Sequence, residues 1–280
     1  MENYNIFTVA NASYAPFLDI LVSSVTDSCH SAGGILVADV GLGPFLPHFS
    51  SRANVAIIPT SITDNFSGAH SSGWATATRQ KTKIFLNLLE NRKVDHPVIM
   101  IDNDVCVLRD LACLIDLQYD IQITKRPKII NAAGIELTEI ASMVIFNDRD
   151  ISIQFLRKWI EQIDILAAKG VKLPHETPAL NLLMRTSWAS SSLNVGFLEE
   201  EHVCSTTGFN PDAFALHFKS FGKTGDNKID NFELRLKKVV KNFSRPRKPL
   251  EYLAPDLYQE WCAWCASGAT VTHQKSSEAP

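Results

Sequence analysis

The chain has 280 residues, of which 45% are hydrophobic and 20% are charged, and its formal net charge is −3. This composition is typical of a globular protein large enough for one sizeable α/β domain. Six scattered cysteines are too few for a disulfide scaffold, and the slightly acidic balance gives no general attraction to nucleic acid or to an anionic membrane. We therefore expect a reduced, cytoplasmic protein without a nucleic-acid partner.

The opening MENYNIFTVANASY has no basic segment followed by a continuous apolar one. No apolar run in the chain reaches the roughly 20 residues that span a bilayer. We therefore expect neither a signal peptide nor a transmembrane segment. The sequence does not indicate an oligomeric state.

Short β-rich runs alternate with helical patterns through the first half of the chain. The runs are NIFTVAN, GILVADVG, VAIIP, PVIMIDND and ASMVIFN. The spacing of apolar residues predicts helices in FLDILVSSVTDSCHS and TRQKTKIFLNLLENR. Strands that alternate with helices predict an α/β fold with a largely parallel central sheet covered by helices on both faces. From ISIQFLRKWIEQIDILAAKG onwards the pattern changes to longer helices and fewer strands.

Two aspartates follow the fourth β-rich run, in VIMIDNDVCVLRDL. Ligands of open α/β sheets bind at the carboxyl ends of strands. Asp102 and Asp104 are two apart on extended backbone, so their side chains point the same way. Carboxylate oxygens suit magnesium or manganese, which commonly bridges nucleotide phosphates. Aspartates at strand ends also serve as turn or capping residues, so this pattern alone does not decide between the two interpretations.

A lysine points inwards from the helix in TRQKTKIF. Lys81 shares the apolar face of Ile84 and Phe85, whereas Lys83 falls on the solvent face. An inward lysine indicates an anionic partner. The alternative is an ammonium that reaches solvent past the end of the helix.

Two later segments add candidate site residues. In LHFKSFGKTG, His217 follows the strand-like FALHF, and Lys219 and Lys223 lie just beyond it. This histidine is either a core residue or an ion ligand beside a phosphate-binding loop, and as a ligand it favours manganese over magnesium. In LPHETPALNLLM, Glu176 precedes a helix that can start at Pro178, where it either interacts with the helix dipole or lies at the substrate.

Taken together, these segments resemble the GT-A glycosyltransferases, from about residue 5 to residue 224. NIFTVANASY is similar to their first nucleotide-binding strand, VIMIDNDVCVLRDL to their D-x-D strand, and ASMVIFNDRDISIQFLRKW to their Asn-Ala-Gly-Val segment. HETPALNLLM resembles their Asp-Gln-x-x-x-Asn segment, and HFKSFGK the late histidine segment of glycogenin-like and related retaining enzymes.

The resemblance implies a single catalytic GT-A domain over residues 1–262. Within it, residues 1–104 would be the nucleotide-binding half, 105–240 the half that completes the acceptor and metal sites, and 241–262 a C-terminal helix and linker. Residues 263–280 would form a tail with a disordered end. The implied activity is the transfer of a sugar from a nucleotide diphosphate donor, a UDP-sugar, to a carbohydrate or other hydroxyl-bearing acceptor. The histidine segment favours retention over inversion.

The resemblance also implies roles for individual residues. Asp102, Asp104 and His217 would hold Mn²⁺ or Mg²⁺, which stabilises charge on the departing diphosphate. Glu176 would lie nearest the reacting carbon, as general base in an inverting enzyme, or positioning the acceptor or stabilising an oxocarbenium-like centre in a retaining one. The implied donor-binding residues are Thr8, Ala10, Asn11, Lys81, Asp102, Asn103, Ser142, Lys219 and Lys223.

Two other functions remain open from the sequence. A nucleotidyltransferase that makes sugar nucleotides would share the sheet and carboxylates, but it should carry a glycine-rich basic loop after the first strand, and ANASYAPF has neither glycine nor lysine. A non-catalytic nucleotide-sugar or glycan sensor would keep the metal cleft. Ser142 and Thr177, where the family pattern has glycine and glutamine, motivate that second alternative.

Overall fold

The computed structural model describes residues 3–60, 72–91, 93–171, 176–199, 201–205, 210, 212–218, 232–233 and 249–267. The strands are β1 Tyr4–Ala10, β2 Ala32–Asp39, β3 Val55–Pro59, β4 Val98–Ile101, β5 Val105–Val107, β6 Ile121–Ile130, β7 Glu136–Phe146, β8 Val195–Leu198, β9 Val203–Ser205 and β10 Ala215–His217. The α-helices are α1 Ala15–Ser28, α2 Leu46–Ser50, α3 Ser72–Glu90, α4 Arg149–Ala168, α5 Glu176–Met184, α6 Ser187–Ser192 and α7 Pro255–Ala266.

Seven strands form the central sheet, in the order β3-β2-β1-β4-β7-β6-β8. Strands β1 to β4 run parallel to one another, and β8 is parallel to β6, whereas β7 is antiparallel to both of its neighbours. A second, three-stranded sheet has the order β5-β10-β9. The predicted α/β fold with a mostly parallel sheet is confirmed, and the five predicted runs are β1 to β4 and β7.

The structure adds to the predicted elements and moves some of their ends. The sequence interpretation omitted β6, which forms an antiparallel hairpin with β7 because only a short turn joins the two strands. Helix α5 begins at Glu176 rather than at Pro178, so Glu176 occupies its first turn. Helix α7 extends to Ala266, beyond the domain end predicted at residue 262.

The core lies on both faces of the central sheet, because successive side chains of a strand point to opposite faces. On β1, Tyr4 and Ile6 join the apolar cluster that includes α1 and Trp261 of α7. Phe7, the residue after Ile6, joins the cluster formed with α3, α4 and α5 on the opposite face. Within the described residues, every helix falls short of the length or the apolar character that a membrane span requires.

Candidate metal centre and active site

The second sheet brings His217 to the two aspartates. Strand β5 follows the aspartates directly and pairs antiparallel with β10, in a register that sets Val105 opposite His217. The backbone N–H of Phe218 donates to the carbonyl of Asp104 at 2.8 Å. As a result, His217 Nε2 lies 3.1 Å from Asp104 Oδ1 and 3.5 Å from Asp102 Oδ2.

The geometry of these three side chains fits a divalent metal ion. Asp102, Asp104 and His217 each present one ligand atom, and the three atoms lie within 4.8 Å of one another. Metal–ligand bonds of about 2.1 Å place neighbouring ligand atoms roughly 3 to 4 Å apart, so only small adjustments are needed. Two carboxylate oxygens and an imidazole nitrogen form a donor set that suits manganese. These residues are therefore able to hold the predicted ion.

Lys81 lies on the buried face of α3, as its helical spacing predicts, and is only 5% exposed. Its Nζ donates to Asp102 Oδ1 at 2.6 Å and to the carbonyl of Ala141 at 3.4 Å. It also forms an ion pair with Glu176 Oε1 at 2.9 Å, at an angle that is poor for a hydrogen bond. One ammonium thus connects Glu176 to the three candidate metal ligands Asp102, Asp104 and His217, called the metal group below.

The charges of these groups depend on one another. Burial alone would lower the pKa of Lys81, but the carboxylates of Asp102 and Glu176 outweigh it and raise the pKa above its ordinary value. For Glu176, burial is the largest effect and raises the pKa to about 7, against the opposing charge of Lys81. The ammonium therefore reduces the free-energy cost of a charged carboxylate at this buried position.

Three residues that the sequence interpretation did not assign to the site fix the start of α5. Trp159 Nε1 donates to the carbonyl of Glu176 at 2.9 Å. Thr177 Oγ1 accepts from the backbone N–H of Ala141 at 3.3 Å, and Asn181 accepts from the backbone of β7. The polar Asn181 within the apolar PALNLLM, which the structure buries fully, is a sequence signal that could have identified this tether.

The candidate nucleotide-binding residues lie at the carboxyl end of β1, beside the aspartates. Asn103 Nδ2 donates to the carbonyl of Val9 at 2.9 Å, which joins the aspartate loop to this strand. Thr8 and Asn11 are buried, and within the described residues Thr8 Oγ1 and Asn11 Oδ1 have no hydrogen-bond partner. Ala10 is also buried and adds no polar group. Their predicted contacts with base and ribose stay predictions.

The remaining candidates divide between placed and undescribed residues. Ser142 is buried, and its carbonyl accepts from the backbone N–H of Asp102 at 2.9 Å, so it supports the aspartate loop from β7. Lys219 and Lys223, the predicted phosphate ligands, lie outside the described residues.

Comparison with known proteins supports the fold. No protein-family model matches the chain, and no curated protein sequence matches it. Among solved structures, the chain is similar to the glycosyltransferase GlyE of Streptococcus pneumoniae TIGR4, with a TM-score of 0.54 and 14% sequence identity. The match covers 99% of this chain and 66% of the GlyE chain. This chain therefore has the fold of part of a glycosyltransferase and carries an Asp-Asp-His group able to bind a metal.

Proposed function

We propose that the protein is a metal-dependent glycosyltransferase of the GT-A class. It moves a sugar from a nucleotide diphosphate donor, a UDP-sugar, to a hydroxyl group of a carbohydrate or other acceptor, with retention. The observation that carries this proposal is the convergence of Asp102, Asp104 and His217, next to the buried Lys81–Glu176 pair. A glycosyltransferase with the same fold supports it.

The proposed roles follow from where the side chains lie. Asp102, Asp104 and His217 hold the ion, Mn²⁺ or Mg²⁺, which when bound offsets the negative charge of the departing diphosphate. Thr8 Oγ1 and Asn11 Oδ1, which have no hydrogen-bond partner among the described residues, bind base and ribose beside it in this proposal. These groups bind and orient the donor.

In this proposal, Glu176 is the residue that lies nearest the reacting carbon. Lys81 and the tethers on α5 hold its carboxylate in a buried position, so it is preorganised rather than solvated. In a retaining reaction it positions the acceptor hydroxyl or stabilises positive charge on the sugar ring. Lys219 and Lys223 neutralise phosphate in this proposal.

Calorimetric titration with UDP, with and without Mn²⁺, tests the proposal. Asp104→Ala removes one ligand, whereas Asp150→Ala removes an exposed carboxylate at the start of α4 and is the control. We expect Mn²⁺ to increase the UDP affinity of the wild type and of Asp150→Ala, but not of Asp104→Ala. UDP affinity that does not change with Mn²⁺ or with Asp104→Ala would contradict the assignment of the site.

A further inference from the structure

The ammonium of Lys81 is surrounded by acceptor oxygens of the protein itself. An ammonium has three N–H donors. Three protein oxygens lie within 3.5 Å of Lys81 Nζ, namely Asp102 Oδ1, Glu176 Oε1 and the carbonyl of Ala141. The side chain is also only 6% exposed, which leaves little surface for a substrate. Lys81 therefore has the surroundings of a counter-ion inside the protein, and not those of a lysine that binds phosphate.

The two carboxylate oxygens of Asp102 face different partners. Oδ1 accepts from Lys81 at 2.6 Å, whereas Oδ2 lies 3.5 Å from His217 Nε2. Only Oδ2 is thus directed to the side chains of the metal group. A carboxylate with one oxygen in a short, charge-assisted hydrogen bond offers its other oxygen to an ion.

We propose that Lys81 is a positioning residue that restricts Asp102 to one metal-binding oxygen and keeps the metal affinity of the nucleotide-free protein low. This inference rests on the proposed function, because it presumes that the Asp-Asp-His group binds an ion. The same ammonium fixes Glu176, so the metal group and Glu176 share one anchor. Lys81 consequently acts through Asp102 and Glu176, and it does not touch the donor.

The direction of the effect follows from the charges. An ammonium beside the metal group repels a divalent cation and occupies one oxygen of a ligand. In Lys81→Met the repulsion is lost, Asp102 has both oxygens available, and a bound cation becomes the counter-ion for the carboxylates. We expect Lys81→Met to bind Mn²⁺ about tenfold more tightly without nucleotide, which corresponds to about 1.4 kcal/mol. Lys81→Arg keeps the charge and should stay within about threefold of the wild type.

Titration of the nucleotide-free protein with Mn²⁺, followed by electron paramagnetic resonance of the free ion, measures this affinity directly. Lys83→Met is the matched control, because Lys83 lies on the same helix with a partly exposed side chain and should leave Mn²⁺ affinity unchanged. UDP titrations of the same variants provide the second measurement. If Lys81→Met does not fold, Lys81→Gln replaces it, with the same expected tightening.

The outcomes separate this inference from the proposed function. Tighter Mn²⁺ binding by Lys81→Met, with wild-type behaviour of Lys81→Arg and Lys83→Met, supports the positioning role. Unchanged or weaker Mn²⁺ binding by Lys81→Met overturns it. If the same variant also binds UDP more weakly, Lys81 is a donor ligand. A wild-type protein that binds no Mn²⁺ overturns the metal site itself, and the inference with it.

Discussion

Asn181→Ala should destabilise the protein substantially, because the side chain of Asn181 makes four hydrogen bonds to the backbone, three to β7 and one within α5. Its Oδ1 accepts from the backbone N–H groups of Thr138 at 2.6 Å and Glu139 at 3.1 Å. Its Nδ2 donates to the carbonyls of Glu139 at 3.0 Å and Thr177 at 2.8 Å. Alanine leaves two N–H groups without this partner, at about 1 to 3 kcal/mol each if they stay dry. Both residues are half-buried, so water can partly replace the lost oxygen. We therefore expect a loss of about 3 kcal/mol.

Chemical denaturation followed by circular dichroism measures this loss of unfolding free energy, and a thermal scan of the same signal measures the melting temperature. At roughly 2 to 4 °C per kcal/mol for a chain of this size, the melting temperature should fall by about 6 to 12 °C. Asn87→Ala on the exposed face of α3 is the control and should change stability by less than about 0.5 kcal/mol. A loss below about 1 kcal/mol for Asn181→Ala would show that the tether does not hold α5, and would refute the reasoning.

Two further predictions concern stability elsewhere in the fold. Burial lowers the pKa of His96 below its ordinary value of 6.5, so the unfolded chain binds a proton at a pH where the folded chain does not. The free energy of unfolding should therefore fall as pH drops below about 6.5. His96→Gln should reduce this fall, whereas His30→Gln, at an exposed position, should not. Denaturation of the wild type and both variants at pH 7.5 and 5.5 measures the fall, and an equal fall in all three would contradict the prediction. Gly196→Ala should lower the free energy of unfolding by about 1 to 3 kcal/mol, because the added Cβ would lie 2.5 Å from Cδ2 of the Tyr119 ring. Gly34→Ala is the control, because a Cβ there meets its nearest atom at 3.6 Å. Thermal melting of both alanine variants checks this difference, and equal melting temperatures would contradict it.

The sequence predicted the parts of the site that depend on local pattern. VIMI is buried at all four positions, so a continuous apolar run was a reliable sign of a central strand and placed Asp102 and Asp104 at its carboxyl end. Helical spacing likewise placed Lys81 on the inner face of α3. Each of these inferences needs only the period of a strand or a helix.

Pairings between distant segments were beyond such reasoning. Strand β6 was missed because IQITKRPKII contains Pro127, which lies where the register with β7 shifts, and a proline weakens the pattern of a strand. That His217 lies beside Asp104 depends on the pairing of β5 with β10, and that Lys81 contacts Glu176 depends on how α5 docks on β7. Periodicity identifies which face of an element is buried, but it does not identify the element that covers this face.

Incubation of the protein with a panel of UDP-sugars, with and without Mn²⁺, and measurement of the UDP released tests the central claim most directly. Release of UDP from a donor requires catalysis even when water is the acceptor. The account predicts Mn²⁺-dependent release from at least one UDP-sugar and its loss in Asp104→Ala. Mn²⁺-dependent binding of UDP without release from any UDP-sugar would contradict the transferase and would indicate the nucleotide-sugar sensor instead.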